Sequence, residues 1–140
     1  MEITKWKDTF DIISNLTYQS IELANAFVKD NSDVDDWCMM CRIGEKLRGL
    51  QGLLRAENDF GAALYEMKKI KSSDEDEKFI FIVDKRMHSY LKDVLIPFVE
   101  DILKRSRTLR FEDYRARNFQ NDLRRAMEDI KRHYKELYNL

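Results

Sequence analysis

Cys38 and Cys41 stand three residues apart, the spacing at which two thiols on one helical turn can form a reversible disulfide. Together with His88 and His133 they also make up, by number alone, the four ligands of a tetrahedral zinc site. A third set carries charge rather than nucleophiles. Lys104, Arg105, Arg107 and Arg110, with Arg115 and Arg117 just beyond, form the least compensated cationic run in the chain. Guanidinium groups at that density suit phosphate oxygens or the carboxylates of an acidic partner.

The stretch Trp37-Cys38-Met39-Met40-Cys41 resembles the Trp-Cys-x-x-Cys of thioredoxin-like proteins over those five residues. In that family the motif follows a buried strand and opens a helix whose positive end lowers the thiol pKa. Here the preceding Asn31 to Asp36 is polar and acidic, and Asp35 and Asp36 would raise a thiolate pKa. The expectation is therefore structural: Cys41 faces the core beside Trp37 and Gly44, and Cys38 lies at its edge. A zinc site would have to draw ligands from three separate helices, so no metal or other cofactor is expected. His88, flanked by Asp84 and Lys92, and His133, beside Ile130 and Leu137, read as surface or boundary residues. Di-iron bundles need Glu-x-x-His pairs, but Lys85 and Ile130 occupy the positions three before the two histidines. Gly44 to Gly49 has a Walker-like glycine spacing but continues into Leu50 rather than Lys-Ser/Thr. No catalytic residue is assigned, and Cys38/Cys41 redox chemistry is the one concrete enzymatic alternative.

The elements that must position these groups follow from composition. A 140-residue chain has room for one domain, residues 1–140. Hydrophobic residues at 44% and charged residues at 36% indicate a folded core under a heavily charged surface. One Pro and four Gly leave few turns, which argues against an all-β fold. The net charge of −1 excludes a protein that is cationic as a whole. Met1 to Lys5 is not a basic segment followed by an apolar run, and the longest apolar run, Phe79 to Val83, is far short of the ~20 residues that span a bilayer. With two cysteines only, a soluble chain of the reducing cytoplasm without a membrane partner is expected.

Apolar residues recur at threes and fours throughout. Residues 4–29 carry Trp6, Phe10, Ile13, Thr17, Ser20, Ala24 and Phe27, followed by Ser32 or Asp33 as the next cap. The second stripe, Trp37, Met40, Ile43, Leu47, Leu50 and Leu54, loses phase at Ala56 to Asp59, and a new phase starts with Phe60, Leu64, Met67 and Ile70. A break or strong kink near residues 56–60 is expected, with Asn58 or Asp59 as a cap. Three glycines in that arm suggest close packing or local mobility. Lys71 to Glu77 is a connector with Ser73 as cap and four acids at the positive end of the next helix. That helix runs from Ile80 to Ile102 and contains Pro97, which should kink it. The last helix, roughly 110–138, uses Phe119, Leu123, Met127, Ile130, Tyr134 and Leu137. The fold class is all-α: an antiparallel bundle of four to five helices in a single domain, its second arm broken in two.

Charge is unevenly spread over these arms. Lys104 to Lys135 holds eleven basic and five acidic residues, whereas the first seventy hold nine basic and twelve acidic. The basic segment, with Phe111, Tyr114, Phe119, Tyr134 and Tyr138 nearby, could track a phosphate backbone and stack bases. The alternative is a solvated face laced by i+3 and i+4 pairs, including Arg124 with Glu128, with Phe119 and Tyr134 in the core. The primary functional expectation is a non-catalytic intracellular protein-protein interaction module acting through helix faces: an adaptor, an inhibitor or immunity-type protein, or a structural subunit. Its partner would be another protein or a second copy of itself. Apolar residues off the main stripes, such as Ile12, Tyr18, Met39, Leu53 and Tyr65, supply contact surface for that reading. The alternative is a small helical subunit of a ribonucleoprotein complex that binds RNA or single-stranded nucleic acid through residues 104–117.

Overall fold

A stripe of apolar side chains can leave water only if its helix lies lengthwise against others, and the chain meets that demand with four arms. The computed structural model describes residues 6–30, 34–70 and 73–140. Helix α1 spans Trp6–Lys29, α2 Val34–Ile70, α3 Asp74–Tyr90, α4 Ile96–Thr108 and α5 Tyr114–Tyr138. A π-helical turn, Leu91–Leu95, joins α3 and α4 into one rod. Among the described residues there is no strand. The side chain of Trp6 and the expected cap at Ser32 or Asp33 lie outside the described residues.

Successive arms run antiparallel. Gln51 on α2 donates to Ser14 on α1 at 3.1 Å, and Tyr90 at the end of α3 donates its hydroxyl to the Leu53 carbonyl at 2.9 Å. Between α4 and α5, Arg107 meets Glu128 at 3.1 Å and Lys131 meets Glu100 at 3.3 Å. The core between the arms includes Ile13, Leu47, Leu50, Leu95, Val99, Leu123 and Ile130.

α2 is helical without interruption, so the expected break near residues 56–60 does not occur and Asn58 and Asp59 lie inside the helix. The buried positions explain why. Asp36, Met40, Ile43, Leu47, Leu50, Leu54, Glu57 and Leu64 are buried, with Gly61 half-buried between the last two. That is one unbroken series of fours and threes in which Asp36, Glu57 and Gly61 take positions otherwise filled by apolar side chains. The phase is kept; three non-apolar residues disguise it. Trp37 and Phe60, placed on the stripe from sequence, are each 39% exposed, and Ile70 is exposed as well. Leu137 and Val94 also turn outward, whereas Ile12, Met39 and Leu53 pack against the core rather than facing out.

The disturbance expected at Pro97 takes the form of the π turn. Ile96 N–H bonds to the Leu91 carbonyl, five residues back, just before the residue that lacks an N–H. Pro97 then sits in the first turn of α4, where no intrahelical donor is needed. Ser73 caps α3 as expected, accepting from the Asp76 amide at 3.2 Å. α5 begins at Tyr114 rather than near residue 110, and ends on Asn139 in the left-handed conformation at φ 54°.

α2 outruns its neighbours. Gln51 pairs with Ser14 of α1, and Tyr134 and Tyr138 near the end of α5 reach Glu57. From Phe60 to Ile70, α2 continues with α3 as its packing partner: Phe60 stacks on Tyr90, and Gly61 faces Met87. α2 and α3 thus form a helical hairpin that extends from the bundle.

Candidate functional site: an arginine cleft and an uncovered helix face

The turn from α4 to α5 is fixed by side chains that satisfy its backbone. Leu109 leaves the helix with extended backbone, φ −67° and ψ 145°. Gln120 donates to the carbonyls of Ser106 and Leu109, and Arg110 donates to the carbonyls of Arg107 and Leu109 at 3.2 and 3.1 Å. These are the carbonyls that a helix end leaves without partners. Phe111 anchors the linker in the core. The buried Asp36 carboxylate accepts the amides of Glu112 and Asp113 at 3.2 and 3.1 Å, and Asp113 in turn caps α5 by accepting from the Arg115 amide at 2.8 Å. These bonds hold residues 109–113 outside either helix, which is why α5 starts late.

Around this turn lies a cleft of about 340 Å³ lined by Arg107, Arg110, Arg117 and Arg124 with the amides of Gln120 and Asn121. No Asp or Glu lines it. Arg107 is ion-paired with Glu128 at 3.1 Å, while Arg117 and Arg124 have no ion pair among the described residues. An adjoining groove of about 540 Å³ shares Ser106 and Leu109 with the cleft and is floored by Ile43, Phe98, Ile102 and Leu123.

The structure divides the six cationic residues singled out in the sequence. It brings Arg107, Arg110 and Arg117 to one cleft. Arg105 turns instead to Asp101 at 3.0 Å and lines the adjoining groove. Arg115 is held by Asp113 and Asp30, each at 2.9 Å, and lies over the Phe27 ring at 5.4 Å. It ties the end of α1 to the start of α5. Asp113 is kept below the usual carboxylate range, first by the hydrogen bond from Arg115. Lys104 is exposed on α4 and lines neither depression. The cleft also holds Arg124, which the i+4 spacing pairs with Glu128; Glu128 goes to Arg107 instead, leaving Arg124 to the cleft. Its signal is the seven-residue step from Arg117, two turns along one face. Of the aromatics considered for stacking, Phe111, Phe119 and Tyr134 are core residues and Tyr138 is bonded to Glu57, while Tyr114 is 65% exposed.

The cysteines sit in the opening turns of α2, free and half-buried. Burial raises the Cys41 thiol pKa, and Cys38 and Glu45 add to the effect. Both act against thiolate chemistry. His88 is exposed on α3, and His133 packs edge-on against Tyr134 with ring centroids 5.2 Å apart. Among the described residues no three His, Cys, Asp or Glu side chains converge as metal ligands.

A second surface lies on the hairpin. Phe79 to Val83 puts apolar side chains all round α3, yet Met87 is the one buried residue of that helix. Phe79 is 59%, Phe81 65% and Ile82 50% exposed. Asp74, Lys78, Phe81, Lys85 and His88 follow one another at fours and threes along the face turned away from α2. Among the described residues no helix is long and apolar enough to cross a membrane. No family model, curated protein or solved structure matches the chain.

Proposed function

We propose that the chain is a non-catalytic protein-protein interaction module that works through helix faces, with α3 as its seam and a second copy of the chain as the occupant. The supporting observation is the apolar belt of α3, covered by α2 on one side and open on the other. Phe79, Phe81 and Ile82 leave contiguous apolar surface in water, which a second face laid against them would remove. Two such hairpins laid together make a four-helix arrangement in which both belts are enclosed.

Charge supports the choice of occupant. Two copies of α3 set antiparallel about a two-fold axis at Phe81 oppose each residue to the one equally far on the other side. Asp74 then faces His88, Glu77 faces Lys85 and Lys78 faces Asp84. Each juxtaposition has opposite signs, or a histidine opposite an acid, as a self-complementary two-fold contact requires. Phe79 and Ile82, three residues apart, supply an adjoining apolar ridge. A seam of one helix on each side buries less than the ~1,200 Å² of a standard interface, so association is expected at about micromolar strength or weaker.

Sedimentation across about 1 µM to 1 mM tests this. A monomer–dimer equilibrium is expected that Phe81→Glu abolishes. Lys78→Asp or Asp84→Lys alone weakens it, and the two together restore it, because the swapped charges again face each other across the axis. A chain monomeric throughout that range, or a dimer indifferent to Phe81→Glu, overturns the reading. So does a different protein captured on the same face without self-association.

A further inference from the structure

We propose that the arginine cleft at the α4–α5 turn is a phosphodiester site for single-stranded nucleic acid, and that Tyr114 stacks the neighbouring base. The inference is independent of α3 and starts from what the cleft contains. Four guanidinium groups, Arg107, Arg110, Arg117 and Arg124, converge with the amides of Gln120 and Asn121, and no carboxylate lines the space. Two arginines of the same region are paired within their own helices, Arg132 with Asp129 at 2.7 Å and Arg105 with Asp101 at 3.0 Å. Arg117 and Arg124 have no such pair among the described residues, and two like charges seven residues apart on one face repel rather than stabilise α5. Their arrangement favours an external anion.

The cleft is also built. Arg110 is oriented by its bonds to the Arg107 and Leu109 carbonyls, Gln120 by its bonds to Ser106 and Leu109, and the linker by Asp36. Arg110 is therefore held at the cleft with its remaining N–H groups free for an anion, and this one side chain loses little entropy on binding. Guanidinium forks match phosphate oxygens in geometry as well as charge.

The shape of the surface selects a polymer. On α5, Tyr114, Arg117, Asn121 and Arg124 succeed one another at threes and fours, a line about 15 Å long. It carries an exposed ring, a cation, an amide and a second cation. That order serves a strand whose base stacks on the ring, whose backbone runs over the arginines and whose base edges meet the amide. The ring needs an unstacked base face, which a continuous duplex does not offer. Arg107 and Arg110 close the far side, so the strand would enter between the α4 end and the α5 face. Glu128, bound to Arg107, marks the limit of the site along α5.

The test is fluorescence anisotropy with labelled oligouridine and oligothymidine strands, the intact chain, and a salt series. Binding is expected with a log–log salt slope of about −2, as three phosphate contacts to a single strand imply when Arg107 is already paired with Glu128. Arg117→Glu with Arg124→Glu should lower affinity more than tenfold. Arg117→Lys with Arg124→Lys should keep most of the slope while weakening binding, and guards against a folding defect in the charge reversal. Tyr114→Ala should weaken binding about tenfold and leave the slope unchanged. Arg48→Glu, on α2 away from the cleft, should change little. Absence of binding to either strand at about 50 mM salt overturns the proposal. Binding that the cleft variants do not affect overturns it too, as does displacement by millimolar inorganic phosphate alone, which would make the cleft a small-anion site. A duplex bound as tightly as the single strand removes the assignment of Tyr114.

Discussion

The Asp36 carboxylate accepts the backbone N–H of Asp113 at 3.1 Å, so two acids meet because one offers its main chain. The same oxygen accepts the Glu112 amide at 3.2 Å. Asp36 is 2% exposed, and these linker amides supply the hydrogen bonds that a buried carboxylate requires. The bond joins the first turn of α2 to the α4–α5 linker and thereby holds Arg110 at the cleft.

Asp36→Ala should cost about 3 kcal/mol, since two amides lose a charged acceptor in a buried place. Asp36→Asn keeps one oxygen and should cost about 1 kcal/mol. Chemical denaturation gives the totals. Hydrogen exchange should show Glu112 and Asp113 losing protection before the helices do. Unchanged protection at those two amides in the Ala variant would refute the assignment.

Glu57 is the second buried acid of α2, and it predicts a pH dependence. Tyr138 and Tyr134 donate to it at 3.0 and 3.3 Å. Tyr90 lies close enough to feel its charge, and Thr9 of α1 faces the Tyr134 hydroxyl. Burial pushes the carboxyl pKa above its ordinary value, more than the two hydroxyls pull it down. A carboxyl whose folded pKa is raised contributes most below its unfolded pKa and loses that contribution as pH rises through the folded value. Glu57→Gln removes the titration and retains hydrogen-bonding groups. The melting temperature of the variant should equal or exceed that of the wild type at neutral pH, and the wild type should gain on it as pH falls into the carboxylate range. A wild type that loses ground to Glu57→Gln on acidification would show the shift has the opposite sign.

Two glycines of α2 should respond oppositely to alanine. A methyl at Gly52 meets nothing within 4 Å, so Gly52→Ala should gain about 1 kcal/mol from helix propensity. At Gly44 the methyl would come within 3.0 Å of Ser20 Oγ, and that hydroxyl is buried and bonded to the Thr17 carbonyl at 2.6 Å. Gly44→Ala should lose about 1 kcal/mol. Thermal melts of the pair decide it; equal shifts would mean that α1 and α2 are less closely apposed than the Ser20 contact requires. Gly49, with Phe98 at 3.0 Å, is the other close approach.

Cys41 should alkylate more slowly than free cysteine at pH 8, because burial and the neighbouring Cys38 hold its thiol protonated. A Cys38→Ser, Cys41→Ser double variant should keep the same circular dichroism spectrum. Faster-than-free labelling would restore the redox reading of the Trp-Cys-x-x-Cys motif.

That the chain is all helix was legible from residue order alone, because apolar residues at threes and fours leave one way to hide them, and so were the Ser73 cap and the basic segment near the last turn. Nothing local could determine the role of Asp36 or Glu57. Each occupies a core position made tolerable by groups more than seventy residues away, Glu112 and Asp113 for one, Tyr134 and Tyr138 for the other. Read along the chain, such acids look like the end of a stripe and predict a break that α2 does not have. The cleft was half legible for the same reason. Charge density is a property of the sequence, but which arginines remain open depends on which acids the packed helices bring within reach: Arg115 is taken by Asp30 just after α1, and Arg124 is left open once Glu128 turns to Arg107 on α4.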